Sequence, residues 1–472
     1  MRLLKALRLG NTSCLALVGS GGKTTAMFQI GRELVGADSN LAPLSSTVLL
    51  AATTHMSVEQ LNRADRHIIL ETADDVVRSL VVLPQGLVLL TGPQVEEGRT
   101  AGLPMPVMDR LHFLADEHHL PLLIEADGSR QKPLKAPAEH EPVVPGWVDT
   151  IVVVCGLSGI GKPLSAQWVH RPDLFAELAL FSEGELITQE AIARVLTSPM
   201  GGLKDIPPGA RRVALLNQSD TAELQAVAYR LVDHLLPHYH SVVIGSLSPT
   251  RSEYSGTREA KEPLSGSPFS EADGIFAVHE SVAGIILAAG GASRMGQIKQ
   301  VMRWRGEPFV RRVAYTALSA GLSPVIVVTG SFENEVESAV QDLSLSIVHN
   351  EDWEAGQSTS IITGLRELPS ETGAAVFMLA DQPQVPVGLV QKLLEVHAAS
   401  LSPIVAPQVR DQRANPVLFD RQMFSSLLSL KGDIGGRALF SQYPVTWLPW
   451  HDDSIALDID TLDDYHRLLE IY

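Results

Sequence analysis

Apolar and polar positions in the first half of the chain alternate in blocks rather than residue by residue. Runs rich in Val, Ile and Leu occupy residues 14–18, 48–51, 67–70, 87–90, 120–124, 151–155, 213–216 and 242–244. Short runs without polar alternation predict strands buried on both faces, as in a parallel sheet. The intervening stretches often carry helical spacing, as at residues 221–235. This alternation predicts an α/β domain over residues 1–245. The pattern stops at residues 246–281, which are rich in Ser, Gly, Pro and charge. Such a segment buries too little apolar surface to offset its ordering entropy, so it reads as a linker. An ordered surface excursion is the other reading. A second series of runs follows at 283–288, 324–329, 346–349, 374–379, 403–406 and 445–448, and residues 308–318 have helical spacing. They predict a second α/β domain over residues 282–472.

Composition narrows the classes. Of 472 residues, 45% are hydrophobic and 19% charged, which excludes wholesale disorder and coiled coil. The formal net charge of −17 repels a nucleic-acid backbone, so no nucleic-acid partner is expected. A local basic pocket for one nucleotide is compatible with that charge. No apolar run approaches the ~20 residues of a membrane span, so no membrane partner is expected. With only Cys14 and Cys155, neither a disulfide framework nor a cysteine zinc site can be built, which points to a cytoplasmic protein.

Candidate chemistry falls at two strand ends. In the second half, a predicted strand runs into Ala288, Ala289, Gly290, Gly291, Ala292, Ser293 and Arg294, with Lys299 beyond. Small residues let the backbone approach a nucleotide, loop N–H groups bind phosphate, and Arg294 and Lys299 add positive charge for a triphosphate. Asp381 follows another strand, where ligands of open α/β sheets bind. Asp381 and an acid of the Asp458/Asp460 pair could meet on one Mg²⁺. Capping of a helix by Thr461 is compatible with that role.

In the first half, a strand leads to Gly19, Ser20, Gly21, Gly22, Lys23, Thr24 and Thr25, and a helical pattern follows. A lysine and a hydroxyl at a strand-to-helix turn are the parts of a phosphate loop. Leu17 stands where the common Walker pattern has its first glycine, so the spacing is shorter. Thr24 and the acidic strand end at Glu125 and Asp127 are candidate Mg²⁺ ligands. A plain turn at Asp127-Gly128 is the competing reading. Asn217-Gln218-Ser219-Asp220 echoes a guanine-reading motif, with Gln218 in place of its lysine.

The strings LAAGGASRMGQIKQ, GQSTSIITGL, MLADQPQV, NPVLF, GDIGGRALF and DIDTLDDY occur in this order. They resemble the MocA-type molybdenum cofactor cytidylyltransferases. That resemblance covers residues 282–472. It implies a Rossmann-like, glycosyltransferase-A-like domain with a mostly parallel sheet. It also implies transfer of CMP from CTP to the terminal phosphate of molybdopterin, with release of pyrophosphate. By the same resemblance, the residue 288–294 loop and Lys299 hold the nucleotide, with Arg294, Lys299 and Asp381 as the catalytic set. Ser358, Asn415 and Asp433 fall where the substrate would lie. Leu287-Ala288-Ala289-Gly290 favours cytosine, because related guanylyltransferases carry Leu-Ala-Gly-Gly.

The shorter loop of the first half resembles the ATP loop of the Mur ligases. With VGSGGKTT, ATTHM, IEADGSRQKPLKAPAEHEPVVP and LLNQSD, residues 1–245 resemble the YqeC family, accessory proteins of selenium-dependent molybdenum hydroxylases. This implies a P-loop-type α/β domain that binds ATP or another nucleotide and serves a molybdenum hydroxylase client. Guanylyl or other nucleotidyl transfer, and a nucleotide-gated cofactor chaperone, are the alternative functions.

Overall fold

The computed structural model describes residues 1–36, 43–96, 98–247, 274–291 and 297–471. They form two compact units, Met1–His279 and Glu280–Tyr472.

The first unit is built on β1 (Cys14–Gly19), α1 (Lys23–Leu34), β2 (Thr47–Ala52), β3 (Arg66–Ile69), β4 (Gly86–Thr91), α2 (Met105–Glu117), β5 (Leu122–Glu125), β6 (Thr150–Gly156), β7 (Arg211–Asn217), α3 (Ala222–Leu235), β8 (Ser241–Gly245) and β9 (Ile275–Glu280). These nine strands form one sheet in the order β9-β8-β7-β6-β1-β5-β2-β4-β3. From β8 to β3 every neighbouring pair is parallel. All eight apolar runs of this half are strands. The central ones are buried throughout, β2 and β6 along their whole length, as their unbroken apolar sequences require. Helix α1 buries Ala26, Met27, Ile30 and Leu34, one face of a 3.6-residue period. Thr221 caps α3 by accepting the Leu224 N–H.

The sheet register sets the first site. Leu17 of β1 lies beside Glu125 of β5, and Gly19 lies beside Val154 of β6. The carboxyl ends of these three strands therefore open at one edge.

The expected linker ends earlier than its composition suggested. Ile275–Glu280 is strand β9, beside β8, because Ile275, Ala277 and Val278 find apolar cover there. Residues 248–273, the middle of the expected linker, lie outside the described residues.

The second unit comprises β10 (Val282–Leu287), α4 (Phe309–Ser319), β11 (Val325–Thr329), β12 (Ser346–His349), α5 (Gln357–Arg366), β13 (Ala374–Leu379), α6 (Val387–Ser400), β14 (Ile404–Val409), β15 (Val417–Asp420), β16 (Val445–Pro449) and α7 (Leu462–Ile471). Its mostly parallel sheet runs β12-β11-β10-β13-β15-β14, with β16 parallel to β14. β15 is antiparallel to both β13 and β14. Apolar clusters cover both faces, with Ile286, Val327 and Val376 on one and Ile285, Val328 and Phe377 on the other. Leu287 pairs with Leu379, so the turn after β10 and the turn after β13 leave the sheet side by side. No helix among the described residues is long and apolar enough to cross a membrane.

Candidate functional site

In the first unit, the turn from β1 to α1 passes Gly19, Gly21 and Gly22 at φ 90°, 82° and 133°. Side chains rarely adopt these angles, so this turn requires glycine. A Cβ on Gly22 would also strike the Asn217 amide. Asn217, buried at the end of β7, donates to the Gly21 carbonyl at 2.6 Å and accepts the Leu247 N–H at 2.8 Å. Its side chain therefore braces the loop, which accounts for this part of the motif-like Asn217–Asp220 string without base reading. The N–H groups of Gly21, Gly22, Lys23, Thr24 and Thr25 meet no acceptor among the described residues. A helix start with open donors is suited to an anion.

Lys23, Glu125 and Asp127 converge behind this turn. The Lys23 ammonium donates to the Gly19 carbonyl at 2.6 Å and lies 3.2 Å from Asp127 and 4.0 Å from Glu125. Thr24 Oγ1 donates to Glu125 at 2.8 Å. Burial pushes the Glu125 carboxyl above its ordinary range, with Lys23 and Thr24 opposing the shift. Asp127 accepts the Gly19 N–H at 3.0 Å and pairs with Lys135 at 2.8 Å. Lys135 reaches Glu141 at 2.7 Å, and Arg171 clasps Glu141 with two bonds of 2.8 and 3.0 Å. Burial opposes ionisation of Glu141, but hydrogen bonds from Arg171 and Lys135 outweigh it and hold its carboxyl down at about 2. Burial, then the charges of Arg171 and Lys135, lower His170 to about 4, so this ring is neutral near pH 7. A cavity of about 40 Å³ lies beside the cluster, bordered by Ser20, Asp127, Lys135, Cys155 and Lys204. Burial raises the Cys155 thiol to about 12, which removes it as a nucleophile near neutral pH. Sequence spacing had marked Lys23, Thr24, Glu125 and Asp127. Lys135, Glu141 and Arg171 join them only through the fold, by way of the paired short strands Leu134–Lys135 and Val169–His170.

In the second unit, Ala288 and Ala289 are buried at the end of β10, while Gly290 and Gly291 are exposed. Gln300 holds this turn by donating to the carbonyls of Ala288 and Gly290 at 3.2 and 2.7 Å. Ala292, Ser293 and Arg294 lie outside the described residues. Lys299 pairs with Asp460 at 2.7 Å. Burial raises the Asp381 carboxyl; Lys299 opposes the shift, and Asp458 and Asp460 add to it. Lys299, Asp458 and Asp460 therefore all act on Asp381. Gln382 donates to Asp458 at 2.9 Å, and Gln384 donates to the carbonyls of Ser454 and Leu457 at 3.2 and 2.9 Å. The two amides fasten the turn after β13 to the segment that carries Asp458.

A cavity of about 200 Å³ adjoins the carboxylates, with Asp458 and Gln382 in its wall. Phe377, Phe419 and Phe440 line its apolar part, and Arg413, Asn415 and Arg437 its polar part. Neither arginine is paired with a carboxylate among the described residues. Two unengaged guanidinium groups suit an anionic ligand. The sequence had marked Asn415 and missed the arginines, which carry no spacing signal as single residues. Ser358 and Asp433 do not line this cavity but flank its residues Gln357 and Gly435: the buried Ser358 hydroxyl donates to the Gly432 carbonyl at 2.7 Å, and Asp433 accepts the Gln357 N–H at 3.3 Å. Both fasten the start of α5 to the 432–433 loop.

Asp381, Asp458 and Asp460 offer hard oxygen donors, the type Mg²⁺ prefers. Among the described residues, no group of three or more His, Cys, Asp or Glu side chains is placed to cage an ion. Mg²⁺ does not need such a cage, since one or two carboxylates plus substrate phosphates suffice.

A mostly parallel α/β sheet with Asp381 just past one strand end, and Lys299, Asp458 and Asp460 acting on it, fits the architecture of a nucleotidyltransferase. Residues 284–447 match the MobA-like NTP transferase domain family, and residues 15–173 match the YqeC protein family. The chain thus carries a YqeC domain and belongs, through its C-terminal half, to the MobA-like NTP transferases. It is 30% identical over 193 residues to the purine catabolism protein PucB of Bacillus subtilis (strain 168), which spans 39% of this chain and 93% of that protein. It is 25% identical over 189 residues to the molybdenum cofactor cytidylyltransferase of Escherichia coli (strain K12), across 40% of this chain and 95% of that one. Its N-terminal half is 27% identical over 232 residues to YqeC of the same strain, across 48% of this chain and 83% of the relative.

Proposed function

We propose that the C-terminal unit transfers CMP from CTP to the terminal phosphate of molybdopterin, giving the cytosine dinucleotide form and pyrophosphate. The observation that carries this reading is the set of Lys299, Asp458 and Asp460 acting on Asp381, with Asp458 also in the wall of a cavity whose two arginines pair with no carboxylate among the described residues. Nucleotide chemistry belongs to the first set of groups, and an anionic acceptor to the second.

An acceptor phosphate oxygen is already ionised, so no general base is required. The oxygen attacks the α-phosphorus of CTP, a new P–O bond forms, and the α–β bridging bond breaks with its electrons going to pyrophosphate. Catalysis is then positioning and charge neutralisation. The turn at Ala288–Gly291 approaches the nucleotide, and Arg294 and Lys299 hold the triphosphate. The ammonium of Lys299 has three donors, enough to keep Asp460 and still meet phosphate. Asp381 and Asp458 hold Mg²⁺, which supplies further neutralisation of the phosphoryl oxygens. Arg413, Asn415 and Arg437 orient the acceptor. Ala289 selects cytosine.

The N-terminal unit binds ATP or another nucleotide at Gly19, Ser20, Gly21, Gly22, Lys23, Thr24 and Thr25, with Thr24, Glu125 and Asp127 as ligands for Mg²⁺. The Thr24–Glu125 pair puts a hydroxyl and a carboxylate together, a donor set that fits that ion. Its service is maturation of a molybdenum hydroxylase, including the selenium-dependent kind. Pyrophosphate release from CTP with molybdenum-loaded molybdopterin tests the transfer reaction. Nucleotide titration of wild type against Lys23→Ala tests the N-terminal site.

A further inference from the structure

The loop that would receive a phosphate already faces an anion from its own chain. Asp127 is 2% exposed. One of its oxygens takes the Gly19 N–H and the Lys135 ammonium; the other lies 3.2 Å from Lys23 and accepts no hydrogen bond. Lys23 therefore directs its charge at Asp127 and Glu125 rather than outward. The cluster as a whole is balanced, with Lys23, Lys135 and Arg171 facing Glu125, Asp127 and Glu141. Meanwhile the N–H groups of Gly21 to Thr25 stay open. The backbone is ready for phosphate, but the charge is not.

We propose that Asp127 is a resident counter-anion that makes this loop accept a nucleotide only together with a divalent cation, a proposal that rests on reading Gly19–Thr25 as a phosphate site. A bare triphosphate would bring its charge against a fixed, buried carboxylate whose neighbouring cations, Lys23 and Lys135, already face carboxylates. Like charges at such distances in a poorly screened interior repel strongly. Asp127 cannot readily turn away, because Gly19 and Lys135 anchor one oxygen. A divalent cation entering with the nucleotide gives the other oxygen a partner and frees Lys23 for phosphate. Asp127 is thereby a specificity-determining residue, and removing its charge has opposite signs under two hypotheses. A counter-anion, once neutralised, lets metal-free nucleotide bind more tightly. A residue that serves only as metal ligand or loop brace leaves metal-free binding unchanged or weaker.

The test uses the full chain and calorimetric titration with ATP, in EDTA and in Mg²⁺. Lys23→Ala serves as the reference that isolates the N-terminal site. Wild type is expected to bind at least about tenfold more weakly in EDTA, a conservative floor for an opposed pair of buried charges. Asp127→Asn is expected to recover about that factor in EDTA and to narrow the gap between the two conditions. Asp127→Ser provides a second neutral variant, and circular dichroism checks that each is folded. Equal or weaker binding by the folded variants in EDTA overturns the proposal while leaving the nucleotide site standing. If neither variant folds, wild type in EDTA decides: affinity that falls from ADP to ATP supports the proposal, and affinity that rises from ADP to ATP overturns it. If Lys23→Ala removes no binding under any condition, the loop is not a nucleotide site and the proposal falls with that reading.

Discussion

Asp381 illustrates how the site works at the scale of single residues. Its carboxyl is raised by burial, with Asp458 and Asp460 adding to the shift, and Lys299 supplies the opposing charge. A bound divalent cation would relieve the same crowding. Asp381→Ala is expected to lower nucleotidyl transfer on the order of 10²-fold, comparable to loss of one preorganised charge-stabilising group. Gln382→Leu releases Asp458 from its 2.9 Å hydrogen bond without removing a carboxylate. It is expected to raise the Mg²⁺ concentration needed for half-maximal rate more than it lowers the rate at saturating Mg²⁺; steady-state kinetics at varied Mg²⁺ checks this. Asp381 was legible in the sequence because it closes an apolar run. Arg413 and Arg437 were not, because only the strand pairing around β14 and β15 and the 3-10 turn Gly436–Ser441 bring them to one cavity.

At the scale of elements, the apolar runs located strands well because burial on both faces leaves little room for polar residues. β9 was hidden by the polar stretch preceding it. The antiparallel insertion of β15 between β13 and β14 was hidden because an apolar run does not reveal its direction. The start of α5 depends on Gly356, which sits at φ 113° against the Gly432–Asp433 backbone. Gly356→Ala is expected to destabilise the C-terminal unit by about 1–3 kcal/mol, read from urea unfolding. The paired strands Leu134–Lys135 and Val169–His170 depend instead on Glu141. Its folded value of about 2 lies below its ordinary 4.5. The stabilisation it gives is therefore complete above 4.5 and is lost as pH falls toward 2. Hydrogen exchange in these strands should be faster in Glu141→Gln than in wild type at pH 6, with the difference shrinking as the pH approaches 2.

At the scale of the whole molecule, each unit has its own sheet, its own apolar clusters and its own set of cations and carboxylates. Lys23→Ala is accordingly expected to abolish nucleotide binding at the N-terminal loop while leaving CTP-dependent pyrophosphate release unchanged. Parallel titration and release assays on the same preparation check both halves of that statement. The two-part organisation was legible because the apolar blocks stop and resume. The nucleotidyltransferase class of the second part was legible because its motif strings occur in order, with Asp381 just past a strand end, where an α/β sheet binds ligands. The central claim is cytidylyl transfer. The most direct measurement is pyrophosphate release with molybdenum-loaded molybdopterin, Mg²⁺ and either CTP or GTP, on wild type and Asp381→Ala. The account predicts release that prefers CTP and is lost in the variant. Release that prefers GTP, or no release with either nucleotide from folded protein and active acceptor, would contradict it.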